Sequence, residues 1–248
     1  MNMNNVIEIN KLSKKYFNEK QEILAIDDIS LVVRDGEFLV IVGPSGCGKS
    51  TLLNIIGGID KKSSGDITIF DGKKIGYMLQ TDCLFSWLTI LDNALLGLKI
   101  NNLLTVDNIA YVKKLLNTYG LSEFMDSYPS SLSGGMRQRV ALIRTLASKP
   151  DVLLLDEPFS ALDSQTRLNV SDDVYKIVKN ENKTIILVTH NLEEAITICD
   201  RIIVLTKRPS TIKNTFNISL SNKSIPTINK KSKEFDYYYD LLWNEIDK

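Results

Sequence analysis

One short stretch of the sequence combines the residue types that bind phosphate. It reads Gly43-Pro44-Ser45-Gly46-Cys47-Gly48-Lys49-Ser50-Thr51. Average composition would produce the pattern Gly-x-x-x-x-Gly-Lys-Ser by chance in only about one chain in a hundred. Glycines let backbone N–H groups turn towards phosphate oxygens, Lys49 can reach the outer phosphates, and the Ser50 hydroxyl can bind Mg²⁺. An ordinary glycine-rich turn is the alternative, but an apolar strand pattern before the loop and a helical pattern after it favour phosphate binding.

Two adjacent carboxylates follow another apolar run and could supply a metal ligand and a base. Taken alone, Asp156 and Glu157 could form an ordinary acidic turn. Because adjacent residues leaving a strand project in different directions, the two carboxylates can serve different partners. With a phosphate-binding loop in the same chain, Asp156 is predicted to hold the Mg²⁺ shell and Glu157 a water in line with the γ-phosphate.

Two further polar side chains end apolar runs. His190 is the only histidine, and a lone histidine is more often packed or solvent-facing than catalytic. Its position at the end of a strand pattern, however, would let its ring hydrogen-bond a γ-phosphate oxygen. Gln80 closes the candidate strand over residues 76–79. A surface glutamine is the alternative there, but its amide oxygen can ligate Mg²⁺ and accept from a water.

A glycine pair later in the chain forms a second candidate cradle for phosphate. Ser133 can cap the helix that follows, and Gly134 and Gly135 expose its first amides. A plain helix cap is the alternative, although a cap seldom needs consecutive glycines unless something approaches the backbone closely. One nucleotide does not easily need two cradles from one molecule. We therefore expect two copies to face each other, each offering this helix start to the nucleotide held by the other.

The elements that must position these residues are indicated by the apolar pattern. Short unalternated runs typical of strands buried on both faces are Phe38-Leu39-Val40-Ile41-Val42, Val152-Leu153-Leu154-Leu155 and Thr184-Ile185-Ile186-Leu187-Val188. Each run ends in one of the polar groups described above, and the carboxyl ends of strands are where open α/β sheets bind ligands. Alternation in Val6-Ile7-Glu8-Ile9, Ile29-Ser30-Leu31-Val32-Val33 and Ile67-Thr68-Ile69 predicts a small antiparallel β layer beside this sheet.

The remaining segments predict helices. A capping box at Thr89-Ile90-Leu91-Asp92 begins a helical pattern that continues without a clear strand to about residue 149. The predicted fold is α/β, with a mostly parallel sheet, a small antiparallel layer and an inserted helical lobe. One domain is expected over residues 1–248, with a core (1–87 and 150–215), a helical lobe (88–149) and a C-terminal helical tail (216–248). Apolar residues at helical spacing predict that the tail packs on its own domain: Phe235, Tyr238, Tyr239, Leu242, Trp243 and Ile246.

Composition excludes several classes of protein. The chain has 248 residues with 30 basic and 30 acidic side chains, and it contains no strongly basic block, which argues against a nucleic-acid partner. The first residues are polar, and no run approaches the roughly 20 apolar residues of a membrane span. We therefore expect a cytoplasmic protein. The three scattered cysteines lack metal-ligand spacing and are expected to be reduced.

Taken together, these segments resemble the ATPase subunits of ATP-binding cassette (ABC) transporters over most of the chain, up to about Leu205. In that resemblance, residues 43–51 correspond to the Walker A loop, Gln80 to the Q-loop glutamine, 132–138 to the signature and 152–157 to Walker B. Residues 160–163, including Asp163, correspond to the D-loop, and His190 to the switch histidine. Tyr16 is placed like the aromatic residue that stacks on adenine. The resemblance implies ATP and Mg²⁺ as cofactors, and a head-to-tail homodimer with two ATP molecules between Walker A of one subunit and the signature of the other.

Two segments, residues 84–93 and 132–139, are similar to the nitrate, sulfonate and taurine importer branch, although Met136 stands where many members have glutamine. The expected protein is an ATPase on the inner face of the cell membrane that drives uptake of a small solute through separate permease subunits, with a solute-binding protein in the same system. Residues near Phe85, Trp87 and Leu88 either dock on the permease or belong to the core of the helical lobe. An exporter ATPase and a non-transport cassette protein remain the alternatives.

Overall fold

The computed structural model describes residues 5–17, 21–160, 162, 164–180, 183–221 and 223–246. Its strands are β1 (Asn5–Phe17), β2 (Glu22–Arg34), β3 (Phe38–Val42), β4 (Ser64–Ile69), β5 (Ile75–Met78), β6 (Val152–Asp156), β7 (Thr184–Val188), β8 (Arg201–Leu205) and β9 (Ile212–Asn217). Its α-helices are α1 (Lys49–Ile56), α2 (Ile90–Ile100), α3 (Val106–Thr118), α4 (Gly134–Ala147), α5 (Ser164–Asn180), α6 (Leu192–Ile198), α7 (Pro226–Asn229) and α8 (Phe235–Ile246).

The central sheet has the strand order β5-β6-β7-β3-β8-β9. Its pairs are parallel except for the last, in which β9 runs antiparallel to β8. Every residue of β3, β6 and β7 is buried. Since Phe38 and Val40 pack into one hydrophobic cluster and Leu39 and Ile41 into another, both faces of the sheet are covered. This two-sided burial explains why these strands are continuous apolar runs without alternation.

A second sheet of three antiparallel strands, in the order β2-β1-β4, covers one face of the central sheet. Alternate residues of β1, such as Ile7 and Ile9, point into the shared cluster, and Glu8 between them is half-buried. The predicted antiparallel layer is confirmed. Its two long strands extend well beyond the short alternating segments that predicted them, because the polar residues of β1 and β2 on the outer face obscure the pattern.

The other face of the central sheet is covered by helices. In the segment 88–149, α4 packs against α2 and α3, and its residues Val140 and Ile143 are fully buried. The predicted helix start is confirmed, since the Thr89 side chain caps α2 by accepting a hydrogen bond from the Asp92 amide. The Asp92 carboxylate accepts from the Thr89 hydroxyl rather than from the Thr89 backbone amide, so the predicted capping box is only half formed. Among the described residues, no helix has both the length and the apolar character needed to cross a lipid bilayer.

The C-terminal segment packs on the body of the molecule through α7 and α8. Asn229 is buried and donates hydrogen bonds to the carbonyls of Thr197 and Ser224, each at 2.7 Å. The aromatic helix α8 contacts α6 and β8 and buries Phe235 and Leu242. The predicted packing of this tail on its own domain is therefore confirmed, except at Trp243, which was expected on the packed face and is exposed. The division of the chain into core, lobe and tail stays a prediction.

The α/β fold with a mostly parallel sheet and a separate antiparallel sheet is confirmed. Three details differ from the sequence-based expectation. The strand before Gln80 is β5 over Ile75–Met78 and leaves Leu79 exposed, while β6 extends one residue further to include Asp156. The strands β8 and β9 were not predicted, although the run of apolar residues in β8 carries the same signal as β3.

Candidate active site

The strand order of the central sheet brings the predicted site residues together. Because β5, β6, β7 and β3 are neighbours and parallel, their carboxyl ends meet at one edge. Gln80, Glu157, His190 and the loop 43–51 follow these four strands in that order. They border a cavity of about 480 Å³ lined by Tyr16, Ala25, Ser45, Gly46, Gly48, Lys49, Ser50, Thr51, Gln80, Glu157, His190 and Arg208.

The backbone of the loop adopts conformations that favour glycine. Gly48 has a φ angle of +117°, which side chains with a Cβ rarely adopt. At Gly43 a Cβ would lie only 3.1 Å from the carbonyl oxygen of Leu205, so the loop passes close to the end of β8. The buried Lys49 ammonium donates hydrogen bonds to the carbonyls of Gly43 (2.8 Å) and Pro44 (3.1 Å), which holds its charge inside the loop.

A hydroxyl and a carboxylate meet beside Lys49. The Ser50 hydroxyl donates a hydrogen bond of 2.9 Å to Oδ1 of Asp156, whose side chain is almost completely buried. Burial raises the pKa of the Asp156 carboxyl, the hydrogen bond from Ser50 opposes this shift, and the neighbouring Glu157 adds to it. An ion bound here would favour the charged carboxylate. Both groups are hard oxygen donors, as Mg²⁺ requires, and Mg²⁺ is usually held by one or two carboxylates together with phosphate oxygens.

Glu157 is in contact with both of the other predicted catalytic residues. Its Oε2 lies 3.0 Å from Nδ1 of His190, and Nε2 of Gln80 donates to the same oxygen at 3.3 Å. Its backbone has a φ angle of +42°, unusual for a residue with a side chain, while its amide donates to the carbonyl of Val188 at 2.9 Å. The turn after β6 thus brings the carboxylate to side chains that follow β5 and β7, and Glu157 lines the same cavity as Lys49.

Tyr16 from β1 also lines the cavity. Its hydroxyl donates a hydrogen bond to Oδ2 of Asp60 at 2.8 Å, and the ammonium of Lys14 lies 4.6 Å from the centre of its ring. The ring is 40% exposed, so an aromatic surface is available at the mouth of the cavity.

Two further loop residues differ in burial. Thr51 lines the cavity and is half-buried. Cys47 is buried inside the loop, and this burial raises the pKa of its thiol.

The second glycine pair lies apart from this cavity. The described residues that line the cavity include none of Ser133, Gly134 and Gly135. Ser133 is exposed, and its side chain caps α4 by accepting a hydrogen bond from the Met136 amide. Packing within this chain also explains why residue 135 is a glycine, because a Cβ there would lie 2.9 Å from the Thr166 methyl group on α5. Gly134 has no such close neighbour, but it is half-buried and Gly135 is buried. The expectation that both glycines are exposed is therefore wrong for the isolated molecule, in which only Ser133 of this helix start is exposed.

A profile of the ABC transporter family matches residues 26–160, which is more than half of the chain. An uncharacterized ABC transporter ATP-binding protein from Bacillus subtilis is 41% identical over 97% of this chain and 95% of its own length. The chain belongs to the ABC transporter family. A taurine import ATP-binding protein from Roseobacter denitrificans is 39% identical, over 88% of this chain and 84% of its own length. A nitrate import ATP-binding protein from Synechocystis is 36% identical, over 95% of this chain and 93% of its own length.

Solved structures agree with this assignment. A dimeric ATP-binding cassette in a post-hydrolysis state, bound to ADP and Pi, has a TM-score of 0.75 and 32% identity to this chain. The alignment covers 86% of this chain and 99% of that one. This ABC ATPase therefore binds ATP, and its reaction is the hydrolysis of ATP to ADP and phosphate.

The structure of this ABC ATPase brings together most of the residues that the sequence singled out. The loop 43–51, Gln80, Asp156, Glu157 and His190 share one end of the sheet, and Tyr16 faces the same cavity. The start of α4 lies elsewhere, as expected if it serves a second copy. Asp163 lies outside the described residues. The individual roles of these residues stay predictions.

Sequence reasoning missed Arg208, which lines the same cavity. Its Nη2 lies 3.8 Å from the position that a Cβ would take at Gly46, so its guanidinium reaches the phosphate-binding loop. The turn between β8 and β9 is fixed to β2, because the Ser210 amide donates to the carbonyl of Ala25 (3.1 Å) and the Asp27 amide donates to that of Ser210 (2.9 Å). No local pattern marks Arg208, since a strand that the sequence analysis missed brings it to the site.

Sequence reasoning also missed a buried carboxyl behind His190. Thr189 donates a hydrogen bond of 2.8 Å to Oε2 of Glu194, and the Thr189 hydroxyl accepts one of 3.0 Å from the Asn191 amide. Burial raises the pKa of Glu194 to about 7, although Thr189 and Arg167 oppose the shift. This network fixes the backbone on both sides of His190. The sequence offered no signal beyond a glutamate in the first turn of a helix.

Segment 85–88, which the sequence left undecided between core and docking surface, is exposed at its aromatic residues. Trp87 is 70% exposed and Phe85 38% exposed, with ring centroids 4.9 Å apart. The fully buried Asn93 holds the segment in place. Its Oδ1 accepts from the Phe85 amide at 2.8 Å, and its Nδ2 donates to the carbonyls of Phe85, Leu88 and Thr89 at 3.0–3.1 Å. The aromatic pair is thus a rigidly presented surface.

Proposed function

We propose that this chain is the ATP-hydrolysing subunit of an ABC importer that energises uptake of a small anionic solute through separate permease subunits. Its relatives include proteins named for taurine import and nitrate import, and both solutes carry an anionic group. The subunit would reside at the cytoplasmic face of the membrane by binding its permease. A solute-binding protein that delivers the anion would complete the system.

One observation supports the proposed chemistry: the candidate nucleotide residues border one cavity, while the second candidate cradle lies outside that cavity. Lys49, Ser50 and the Glu157–His190–Gln80 cluster line one cavity, and Asp156 lies behind its lining, hydrogen-bonded to Ser50. The helix start at Ser133 is exposed and outside that cavity. Two copies placed head to tail would close each nucleotide between the loop of one and the start of α4 of the other. ATP would then stabilise the closed dimer, since it contacts both copies only in that state.

Each residue near Lys49 has a proposed role in binding. The loop amides and Lys49 bind the β- and γ-phosphates, and Tyr16 stacks on the adenine ring. Ser50, Asp156 and Gln80 would hold Mg²⁺, which would neutralise charge on the phosphates. Displacing the Lys49 ammonium from the carbonyls of Gly43 and Pro44 frees it for phosphate oxygens.

The chemical step is proposed to use Glu157 and His190. Glu157 accepts a proton from the water that attacks the γ-phosphorus, and the bond to the β–γ bridging oxygen breaks, releasing ADP and phosphate. His190 donates a hydrogen bond to a γ-phosphate oxygen, and Gln80 orients the water. The positive φ angle of Glu157 supports this assignment, because strained backbone is frequent at catalytic residues.

The test is the substitution Glu157→Gln, which keeps the shape of the side chain and removes its basicity. We expect ATP hydrolysis to slow by roughly 10²- to 10⁴-fold, with ATP binding retained and a closed dimer trapped in Mg²⁺-ATP. Single-turnover hydrolysis and sedimentation velocity measure the two effects. Glu123→Gln is a matched control, since Glu123 is an exposed glutamate of the helical region that does not line the cavity.

Two results would contradict the proposal. Near-normal turnover in the Glu157→Gln protein would remove the role of the base. A Glu157→Gln protein that stays monomeric at saturating Mg²⁺-ATP, both alone and together with its permease, would overturn the shared nucleotide site.

A further inference from the structure

The C-terminal helix α8 presents aromatic rings beside His190. A groove of about 370 Å³ lies between α8 and the turn that leads into α6, and it is lined by Ser164, His190, Asn191, Leu192, Glu193, Tyr239 and Trp243. Trp243 is 54% exposed. A single exposed aromatic side chain is ordinary on a protein surface, but this one lines a groove that also contains His190 of the active site.

The position of Trp243 is fixed by the packing of its helix. Its ring stacks on Tyr239 with centroids 6.1 Å apart and planes at 18°, and Tyr239 in turn lies 6.2 Å from Phe235. Phe235 and Leu242 are buried against the body of the molecule. Because the buried residues anchor α8, the exposed indole belongs to an ordered aromatic row and is presented at a defined place.

The groove and the nucleotide cavity are neighbours that share one lining residue, His190. The His190 side chain is 53% exposed, although its Nδ1 contacts Glu157 inside the active site. A body that closes over the nucleotide and covers His190 would therefore reach the groove as well. The aromatic segment 85–88, proposed above for the permease, contributes no residue to the groove among those described.

We propose that Tyr239 and Trp243 of α8 form part of the surface through which two copies of this chain contact each other when ATP is enclosed. The occupant of the groove is thus a second copy. This inference rests on the proposed nucleotide-sharing dimer and extends its interface to the C-terminal tail. It also links the tail to the nucleotide state, since the groove shares His190 with the catalytic cluster. Aromatic residues, tryptophan above all, are enriched among residues that dominate such contacts.

The sequence contains two tryptophans, so Trp87→Phe in the Glu157→Gln protein leaves Trp243 as the single indole reporter. We expect Mg²⁺-ATP to shift its emission to shorter wavelength and to protect it from acrylamide at the concentrations where sedimentation shows the dimer. In the Glu157→Gln protein, Trp243→Ala should raise the dimer dissociation constant about tenfold. Tyr237→Ala is the matched control, since Tyr237 is a 65% exposed aromatic residue of α8 that does not line the groove.

The possible results distinguish a failure of the role proposed for α8 from a failure of the proposed function. A dimer in which Trp243 stays as accessible to acrylamide as in the monomer, or whose dissociation constant is equal in the Trp243→Ala and Tyr237→Ala proteins, overturns the role of the tail and leaves the proposed function standing. Failure of the parent Glu157→Gln protein to dimerise overturns both proposals together. Circular dichroism of the Trp243→Ala protein, compared with a Leu242→Ala protein that loses a buried side chain, establishes that the exposed substitution leaves the fold intact.

Discussion

At the residue scale, Arg208 provides a positive charge at the mouth of the nucleotide cavity in addition to Lys49. Lys49 is buried and hydrogen-bonded to the loop, whereas Arg208 is exposed and approaches Gly46 from outside. A guanidinium in this place can form charge-assisted hydrogen bonds with phosphate or ribose oxygens without rearranging the loop. Arg208 is therefore expected to contribute to affinity for ATP rather than to the chemical step.

Replacing Arg208 by alanine should raise the dissociation constant for ATP by roughly fivefold, about 1 kcal/mol, because one charge-assisted hydrogen bond is lost. Equilibrium titration of each protein with ATP measures this dissociation constant. Lys207→Ala is the matched control, since Lys207 is the adjacent exposed cation and lines a different cavity near Glu245. Equal affinities in the two variants would show that Arg208 does not contact the nucleotide.

At the element scale, Asn93 of α2 makes segment 85–88 a fixed surface feature. Four hydrogen bonds from one buried amide side chain hold the backbone of the segment, and two more connect its chain neighbours to α4, since Arg144 donates to the carbonyls of Asp82 and Cys83. The segment that follows Gln80 is thus attached to the helix that begins at Ser133. A movement of α4 on closure would be passed to Trp87.

If Trp87 docks on the permease, Trp87→Ala should abolish most ATP-driven transport in reconstituted vesicles while hydrolysis by the isolated subunit stays within about twofold of the original. The reason is that a central tryptophan often contributes 2 kcal/mol or more to an interface, and Trp87 makes no contact in the nucleotide cavity. Tyr128→Ala serves as the control, because Tyr128 is a 51% exposed aromatic residue in the same helical region. Unchanged transport in the Trp87→Ala vesicles would remove this assignment.

The elements also show what the sequence could and could not predict. The bounds of β3 and β7 agree with the prediction, because two-sided burial requires a continuous apolar run whose ends are polar. Glu157 and His190 could be found since they terminate such runs. Arg208 could not be found in this way, because its position depends on the pairing of the β8–β9 turn with β2. This pairing joins residues that are distant in the sequence. Likewise, Glu194 acquires its importance only from burial and from Thr189.

At the scale of the whole molecule, the buried Glu194 connects the stability of the fold to pH. Its carboxyl is 7% exposed, and Oε1 finds no hydrogen-bond partner in the described structure. Burial raises its folded-state pKa to about 7 from the ordinary value of 4.5, with Thr189 and Arg167 opposing the shift and Glu157 adding to it. Because the folded pKa is the higher one, the folded state favours the protonated carboxyl. This contribution to stability is full below the ordinary value and is lost as the pH rises through about 7.

The free energy of unfolding should therefore contain a component of up to about 3 kcal/mol that disappears between pH 5 and pH 8. Glu194→Gln removes the ionisation and retains an oxygen that accepts from Thr189, so its urea midpoint, followed by circular dichroism, should decline less over this range. Because all other titrating groups are shared, the difference between the two proteins isolates Glu194. Glu193→Gln, which changes the half-buried glutamate next to it, should follow the original protein. Parallel pH profiles for all three proteins would show that the buried carboxyl ionises without penalty.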